Sequence, residues 1–419
     1  MRQLKIAFIT AEYPPNVYGG LGVYSRELTT RLVKLGHEVH VFSMNPGGLP
    51  TTSLDEGVYV HRLKFVNATS ALRILVNDEL RSWGPGFRYL NDVFTYNVAS
   101  AFEILREVEE SGVTFDIISV HDWLSAIAGL IVKDEMSNVA LAFHVHSTEK
   151  GRNFGGGSPT VSALELACAE KADLIITVSY AMRDQDLAPQ GFPMSKVRVV
   201  WNGVDPEKFS PLRVTREEVE EVKVKHAIKD GPLILFIGRL VKVKGVDKLI
   251  EAMPYVLKDY PNARLLVIGQ GDLYDYLIHL ANRLNVMGHV TFINRFLNDE
   301  EKVAYYAACD VAVFPSLYEP FGIVALEAMS MERPVVVGAR GCSGLREVVI
   351  PSGANQCGIH VNPYDPKDIA WGIDAVLSSQ DRGRWMGVNG RKRVLENFTW
   401  DHATLRTLKV YEEIVRKCS

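Results

Sequence analysis

Short apolar runs of β character alternate with longer helical patterns through both halves of the chain, which restricts it to parallel sheets joined by crossover helices. In the first half, Lys5–Thr10 leads into the loop Tyr13-Pro-Pro-Asn-Val-Tyr-Gly-Gly20. A helix from about Gly22 to Leu35, stopped by Gly36, and a strand at Glu38–Ser43 follow. Further strands are predicted at Asp116–Val120, Ala140–Val145, Leu174–Val178 and Val197–Trp201. The second half restarts the plan with Leu233–Ile237, a helix over Val246–Lys258, and strands at Arg264–Ile268, Val290–Ile293, Val311–Phe314 and Pro334–Val337. At 419 residues the chain exceeds what one hydrophobic core supports, so each half is expected to build its own sheet. Asn202-Gly-Val-Asp-Pro206 and the charged run Arg216–Lys229 interrupt the apolar period, placing a hinge near 203–212. The expected domains are therefore 1–205 and 206–397, with the segment 398–419, an amphipathic helix after Phe398-Thr-Trp400, packing back on the first.

Several function classes drop out on composition. Lys and Arg number 46 against 50 acidic residues and are dispersed, which argues against a nucleic-acid surface. The apolar start, Leu4–Thr10, is too short for a bilayer and runs into Glu12 and two prolines; it reads as a strand, with no membrane span and a cytoplasmic location expected. Cysteines 168, 309, 342, 357 and 418 show no zinc-ligand spacing and fit a reducing compartment. The close histidine pairs His37/His40 and His144/His146 lack further ligands at helical spacing, so no metal site is expected. Asp184-Gln-Asp186 reads as solvated surface, and Gly269-Gln-Gly271 is too short for a dinucleotide fingerprint. Residues 46–100 break the alternation with turn residues and then Trp83, Phe87, Tyr89, Phe94 and Tyr96. These aromatics either form an acceptor platform or pack a helical excursion onto the sheet.

The chemistry concentrates around Glu319 and Glu327, which bracket the run EPFGIVALE between a buried-looking strand and a helix. A strand that turns at Pro320 and Gly322 straight into a helix leaves unpaired N–H groups at the helix start, a ready anion site. A carboxylate within an otherwise apolar run must find a hydroxyl, an amide or a cation. Sugar hydroxyls would serve; alternatively Glu319 caps the helix and Glu327 pairs with an arginine. Upstream, the strand Leu233–Ile237 is followed by Arg239 and Lys244-Gly245. Open α/β sheets place their ligand loops at the carboxyl ends of strands, so these cations and the two glutamates can converge on one ligand.

A resemblance rests on motifs spanning nearly the whole chain: Glu12-Tyr-Pro-Pro with Gly19-Gly20-Leu21, His121-Asp122-Trp123, His144-Val-His146, Asn202-Gly-Val-Asp205, Gly238-Arg239 with Lys244-Gly245, Glu319-Pro-Phe-Gly322 through Glu327, and Gly344-Leu345-Arg346-Glu347. In this order the chain resembles the GT-B retaining glycosyltransferases of the glycogen and starch synthase type (glycosyltransferase family 4 or 5). The resemblance implies an α/β fold of two Rossmann-like, doubly wound parallel-sheet domains facing a cleft. The second domain would hold the nucleotide-sugar donor and the first a glucan or other carbohydrate acceptor. Carried over by motif, Arg239 and Lys244 bind the donor diphosphate, Glu327 binds the ribose hydroxyls, and the backbone of Phe321, Gly322 and Ile323 approaches the transferred sugar and phosphate. Glu319 sits by the sugar hydroxyls, and His146 by the C6 hydroxyl and the reacting centre. Asp122 and Gly20 line the cleft from the first domain, and Glu12 and Tyr13 are placed on the acceptor side. No metal or other cofactor is implied, because the nucleotide sugar is a co-substrate.

The sequence departs from bacterial glycogen and starch synthases in one place: their donor-contacting lysine, two residues before the paired glycines, is Val17 here. The reading is retaining transfer of a hexose, glucose, from an ADP- or UDP-sugar to an α-1,4-glucan, with family 4 transfer to a small or lipid-linked acceptor as the alternative. A nucleotide-sugar epimerase would instead show catalytic carboxylates in the first domain, and a non-catalytic nucleotide-sugar binder would lack His146 or Asp122, which are both present. Neither Glu319 nor Asp122 reads as a glycosidase-type nucleophile, and the resemblance implies front-face attack through an oxocarbenium-like state, the departing phosphate taking the acceptor proton. Without a metal, fixed cations must meet the charge on the leaving diphosphate. At an effective dielectric of about 20, one unit charge at about 4 Å contributes roughly 4 kcal/mol, or about three powers of ten in rate. Arg239→Ala and Lys244→Ala are each expected to cut turnover about a hundredfold or more with a milder effect on folding, as read by steady-state kinetics beside thermal unfolding.

Overall fold

Two sheets, each reversing its strand order at one point, carry the chain. The structure is a computed structural model describing residues 2–17, 19–45, 47–112, 114–228 and 230–418. Tyr18 of the first loop, Lys229 of the charged run and the Cys418 side chain lie outside the described residues.

The first sheet contains β1 (Lys5–Thr10), β2 (Glu38–Asn45), β3 (Thr52–Asp55), β4 (Val58–Lys64), β5 (Ile117–His121), β6 (Ala140–Val145), β7 (Leu174–Thr177) and β8 (Val197–Val199). Its order is β3-β4-β2-β1-β5-β6-β7-β8, with only the β3–β4 pairing antiparallel. The second contains β9 (Leu233–Ile237), β10 (Arg264–Ile268), β11 (Val290–Ile293), β12 (Val311–Phe314), β13 (Val335–Gly338) and β14 (Gly358–Val361), all parallel in the order β11-β10-β9-β12-β13-β14. Chain direction across the sheets reverses between β1 and β5 and between β9 and β12, the switch points where loops splay apart and ligands bind in such sheets. The central strands are apolar throughout because helices cover them: every residue of β5, β6, β9 and β12 is buried.

Contacts group residues 1–178, 183–200 and 400–419 into one compact unit, and 179–182 with 201–399 into another. The C-terminal helix, Trp400–Cys418, packs on the helix Gly20–Lys34 and on β6 within the first unit. Residues 201–205, placed by the sequence in the first domain, group with the second, where Val204 bridges to Thr399 and the Trp201 indole donates to Glu347 at 2.8 Å. Glu347 also accepts the amides of Tyr180 and Ala181 at 3.1 and 2.7 Å, which explains why the segment 179–182 joins this unit.

Residues 46–100 differ from the expectation of turns followed by helix. β3 and β4 form here because Val58 and Val60 alternate with more exposed neighbours, a period-two pattern short enough to pass for a turn region. The aromatics pack. Phe87 and Tyr96 are buried, the Tyr96 hydroxyl donates to the Phe42 carbonyl at 3.0 Å, and Trp83 lies against Val93, Trp123 and Val161. Asp184 is surface, as expected, but Asp186 is not. It is buried and accepts from Thr148 and Gln190, because residues 183–187 wind as a π-helix that turns it inward. Among the described residues no helix is long and apolar enough to cross a membrane, and Cys168, Cys309, Cys342 and Cys357 are free thiols.

Candidate active site

In the second unit, backbone hydrogen bonds bring the loops after β9 and β12 together before any side chain acts. The amides of Leu317 and Tyr318 donate to the Val243 carbonyl at 2.8 and 3.3 Å. Glu319 is tied on its other side, its N–H to the Cys342 carbonyl at 3.0 Å and its C=O to the Gly344 N–H at 2.8 Å. Two glycines make this clamp possible. Gly245 has φ +66°, and a Cβ there would lie 2.1 Å from the Pro315 carbonyl oxygen. Gly322 has φ +100°, and its Cβ would lie 2.4 Å from Leu345.

The clamp sets Lys244 against Glu319 at 2.5 Å, with the Ser316 hydroxyl donating to the same carboxylate oxygen at 3.1 Å. Both charges are largely removed from water, the side chains being 19% and 8% exposed. Glu319 does not cap the following helix, Ile323–Ser330: the cap is Gly322, which has no side chain to accept a helix amide. The amides of Gly322, Ile323 and Val324 therefore meet no acceptor among the described residues, leaving an open donor set at a helix start. Arg239, exposed after β9, likewise has no hydrogen-bond or ion-pair partner among the described residues. Phe321 is buried, its ring 6.2 Å from that of Phe398, so its backbone and not its side chain is free to meet a ligand.

Glu327 pairs with a lysine and a tyrosine, not an arginine: Lys302 Nζ lies 2.8 Å from Oε1, and the Tyr306 hydroxyl 2.9 Å from Oε2. Burial works against the Lys302 ammonium, but the Glu327 and Asp299 carboxylates outweigh it and hold its pKa above the usual lysine value. Lys302 and Tyr306 sit one helical turn apart, the i, i+4 spacing that presents both to one neighbour. That spacing is visible in sequence; the identity of the neighbour is not.

In the first unit, Asp122 ends β5 with φ +54° and ψ −176°, a conformation that side-chain-bearing residues rarely hold. Its carboxylate accepts the amides of His146 and Ser147 at 2.7 and 3.3 Å, fixing the loop after β6. The rings of His144 and His146 lie on the same side with centroids 6.2 Å apart, as residues two apart on a strand do. Their environments differ. His144 is buried between the hydroxyls of Tyr24 and Tyr411, each at 3.0 Å, whereas His146 is only half-buried. A continuous hydrogen-bond chain runs from His146 through His121, Ser119 and Tyr411 to His144 and Tyr24. Burial lowers the pKa of all three imidazoles. Neighbouring imidazoles add to this at His121 and His144, and Asp122 opposes it at His146. Tyr24, Ser119 and Tyr411 escaped the sequence reading because nothing in their local sequence marks them.

The remaining expected residues lie elsewhere. Gly20 opens the first helix, and Glu12 accepts the Gly19 amide at 3.1 Å, closing the loop in front of it. Tyr13 does not offer an acceptor surface: it is 1% exposed, its hydroxyl meets Thr29 at 3.2 Å, and burial pushes its phenol up to about 12.

Two consequences can be measured. Lys244→Ala strands the buried Glu319 carboxylate and is expected to cost about 3–5 kcal/mol of stability. Arg239→Ala removes no partner and is expected to stay within about 0.5 kcal/mol of wild type, so the milder folding effect expected for both variants holds for one. Chemical denaturation separates them, and equal stabilities would sink the paired-versus-free assignment. The second consequence concerns pH. A histidine whose folded pKa lies below its unfolded value near 6.5 resists protonation, so its stabilising effect is complete above that pH and declines below it. Unfolding free energy should fall by up to about 1.4 kcal/mol per pH unit for each such histidine on acidification below about 6.5. His144→Gln should show a shallower slope in urea titrations across that range, and an unchanged slope refutes the neutral assignment.

The chain matches the family "Glycosyltransferase Family 4" over residues 18–208 and "Glycosyl transferases group 1" over residues 218–393. It is 35% identical to an uncharacterised glycosyltransferase of Methanocaldococcus jannaschii over 98% of both chains. It is 30% identical to glycogen synthase of Mycobacterium tuberculosis over 97% of this chain and 94% of that one. Among solved structures, sucrose-phosphate synthase from Thermosynechococcus elongatus superposes with a TM-score of 0.78 at 24% identity, covering 99% of this chain and 100% of that one. The chain belongs to the GT-B glycosyltransferases of the group 1 and family 4 type.

Proposed function

We propose that this glycosyltransferase moves glucose from an ADP- or UDP-sugar to an α-1,4-glucan with retention of configuration. The observation that carries this reading is the set of open amides at Gly322–Val324 in the β12 loop, with the exposed, unpartnered Arg239 after β9 in the same sheet. A free guanidinium and a set of unsatisfied N–H donors are what a diphosphate requires, and both act most strongly as its charge grows on leaving. Lys244 is already neutralised by Glu319, so donor binding would share that ammonium between carboxylate and phosphate. Glu327 keeps unused lone pairs on both oxygens beyond Lys302 and Tyr306, and these can accept from ribose hydroxyls.

In this scheme the bond from the sugar's C1 to the phosphate oxygen breaks, and the acceptor hydroxyl oxygen bonds C1 on the same face. The acceptor proton passes to the departing phosphate. Glu319, held by Lys244 and Ser316, orients sugar hydroxyls and is not the nucleophile. Neutral His146, fixed through its backbone by Asp122, contacts the sugar near the reacting centre, and no metal ion enters the step. The resemblance to glycogen synthase supports the glucan acceptor. Val17, in place of a donor-contacting lysine, favours a second reading, transfer to a small or lipid-linked acceptor. The four free thiols fit a reducing, cytoplasmic setting.

A donor panel of ADP-, UDP- and GDP-sugars against glycogen, maltooligosaccharides and glucose, read by nucleotide release and product anomer, tests the reading. The expected outcome is α-linked product from ADP- or UDP-glucose, reduced about a hundredfold or more in kcat/KM by Arg239→Ala. Turnover with GDP-mannose alone overturns the glucose assignment, and a β-linked product overturns retention.

A further inference from the structure

Among the described residues two clusters bring three metal-ligating side chains within reach of one ion: His121, His144 and His146, and His40, His61 and Glu107. The first is satisfied without an ion, since both ring nitrogens of His121 and of His144 have hydrogen-bond partners. Nothing in the transfer chemistry explains the second.

His40 stands on β2, His61 on β4 and Glu107 on the long helix Gly86–Ser111, all within the first unit. His40 Nδ1 lies 3.2 Å from His61 Nε2 and 3.6 Å from Glu107 Oε1. A tetrahedral ion with bonds of about 2.0–2.1 Å has ligand-to-ligand edges of about 3.3–3.4 Å, between those two spacings. On its other side His40 Nε2 meets Glu38 Oε1 at 2.9 Å. An ionised carboxylate only accepts, so Nε2 carries the proton and Nδ1 turns a lone pair toward His61 and Glu107. Glu107 Oε2 is buried with no hydrogen-bond partner, so its charge is poorly compensated as the side chains stand.

The surroundings are those of a metal site. A carboxylate behind a ligating histidine is the usual outer support, and Glu38 is itself held by Lys5 at 2.8 Å. Phe42 stacks on His61 and Tyr59 on His40, both with centroids 4.7 Å apart, and Phe115 closes an edge at 5.5 Å. His61 and Glu107 are half-buried, which leaves an entry path and room for water as a fourth ligand.

We propose that His40, His61 and Glu107 form a zinc-class divalent-metal site that ties β2 and β4 to the long helix of the first unit. The ion cross-links three elements distant in sequence and takes no part in glycosyl transfer. Spacing along the chain could not reveal it, because each ligand comes from a different element.

Full-length protein stripped with chelator and titrated with Zn²⁺ by calorimetry is expected to show a binding component that His61→Ala and Glu107→Gln both lose and His146→Ala keeps. At a hundredfold excess of Zn²⁺ over Kd the wild-type thermal midpoint should rise by about 5 °C or more. The Glu107→Gln midpoint should not move, and this half-exposed, isosteric replacement preserves the fold. Co²⁺ should give the visible absorption of a four-coordinate site in wild type and not in Glu107→Gln. Absence of Zn²⁺ binding by wild type, binding retained in both ligand variants, or binding lost in His146→Ala overturns the site.

Discussion

The ion pair between Lys244 and Glu319 is the interaction on which the second unit's chemistry turns. It exists because the Val243 carbonyl accepts two amides from the loop after β12, so backbone geometry, not charge, brings the partners together. With both side chains nearly out of water, neither charge can be left alone, and the loop is held in one conformation. That rigidity is what lets the Gly322–Val324 amides wait without partners of their own. Unsatisfied donors persist only on a frame that cannot rearrange to satisfy them.

The first unit solves a similar problem with hydrogen bonds in place of charge. The strained backbone of Asp122 aims a carboxylate at the amides of His146 and Ser147, while His121 and His144 anchor a relay reaching Tyr411 on the C-terminal helix. The relay stays neutral because burial makes an imidazolium costly there, so the position of His146 depends on shape and not on titration near neutral pH. The last nineteen-residue helix is thereby part of the architecture behind a candidate catalytic residue.

Much of this was legible in the residues. Apolar runs gave β1, β6, β9, β10 and β12 with correct bounds, because strands buried on both faces are continuous in hydrophobicity, and they also gave the edge strand β11. β3, β4 and β14 were missed: they are short or half-exposed and carry polar residues, so their pattern does not differ from that of turns. The partners of the two site glutamates were also out of reach. Lys302 and Tyr306 show helical spacing, but which neighbouring helix they face is a property of packing.

The sequence by itself determined the α/β alternation, the two-part plan and the residue types at the carboxyl ends of the strands, because periodicity and turn chemistry are local. Only the tertiary structure decided which of those residues are free and which are engaged: Arg239 without a partner, Lys244 neutralised, Tyr13 in the core, and His40 facing His61 and Glu107. Pairing between distant residues is set by strand order and loop registry, which no stretch of sequence shorter than the whole sheet encodes.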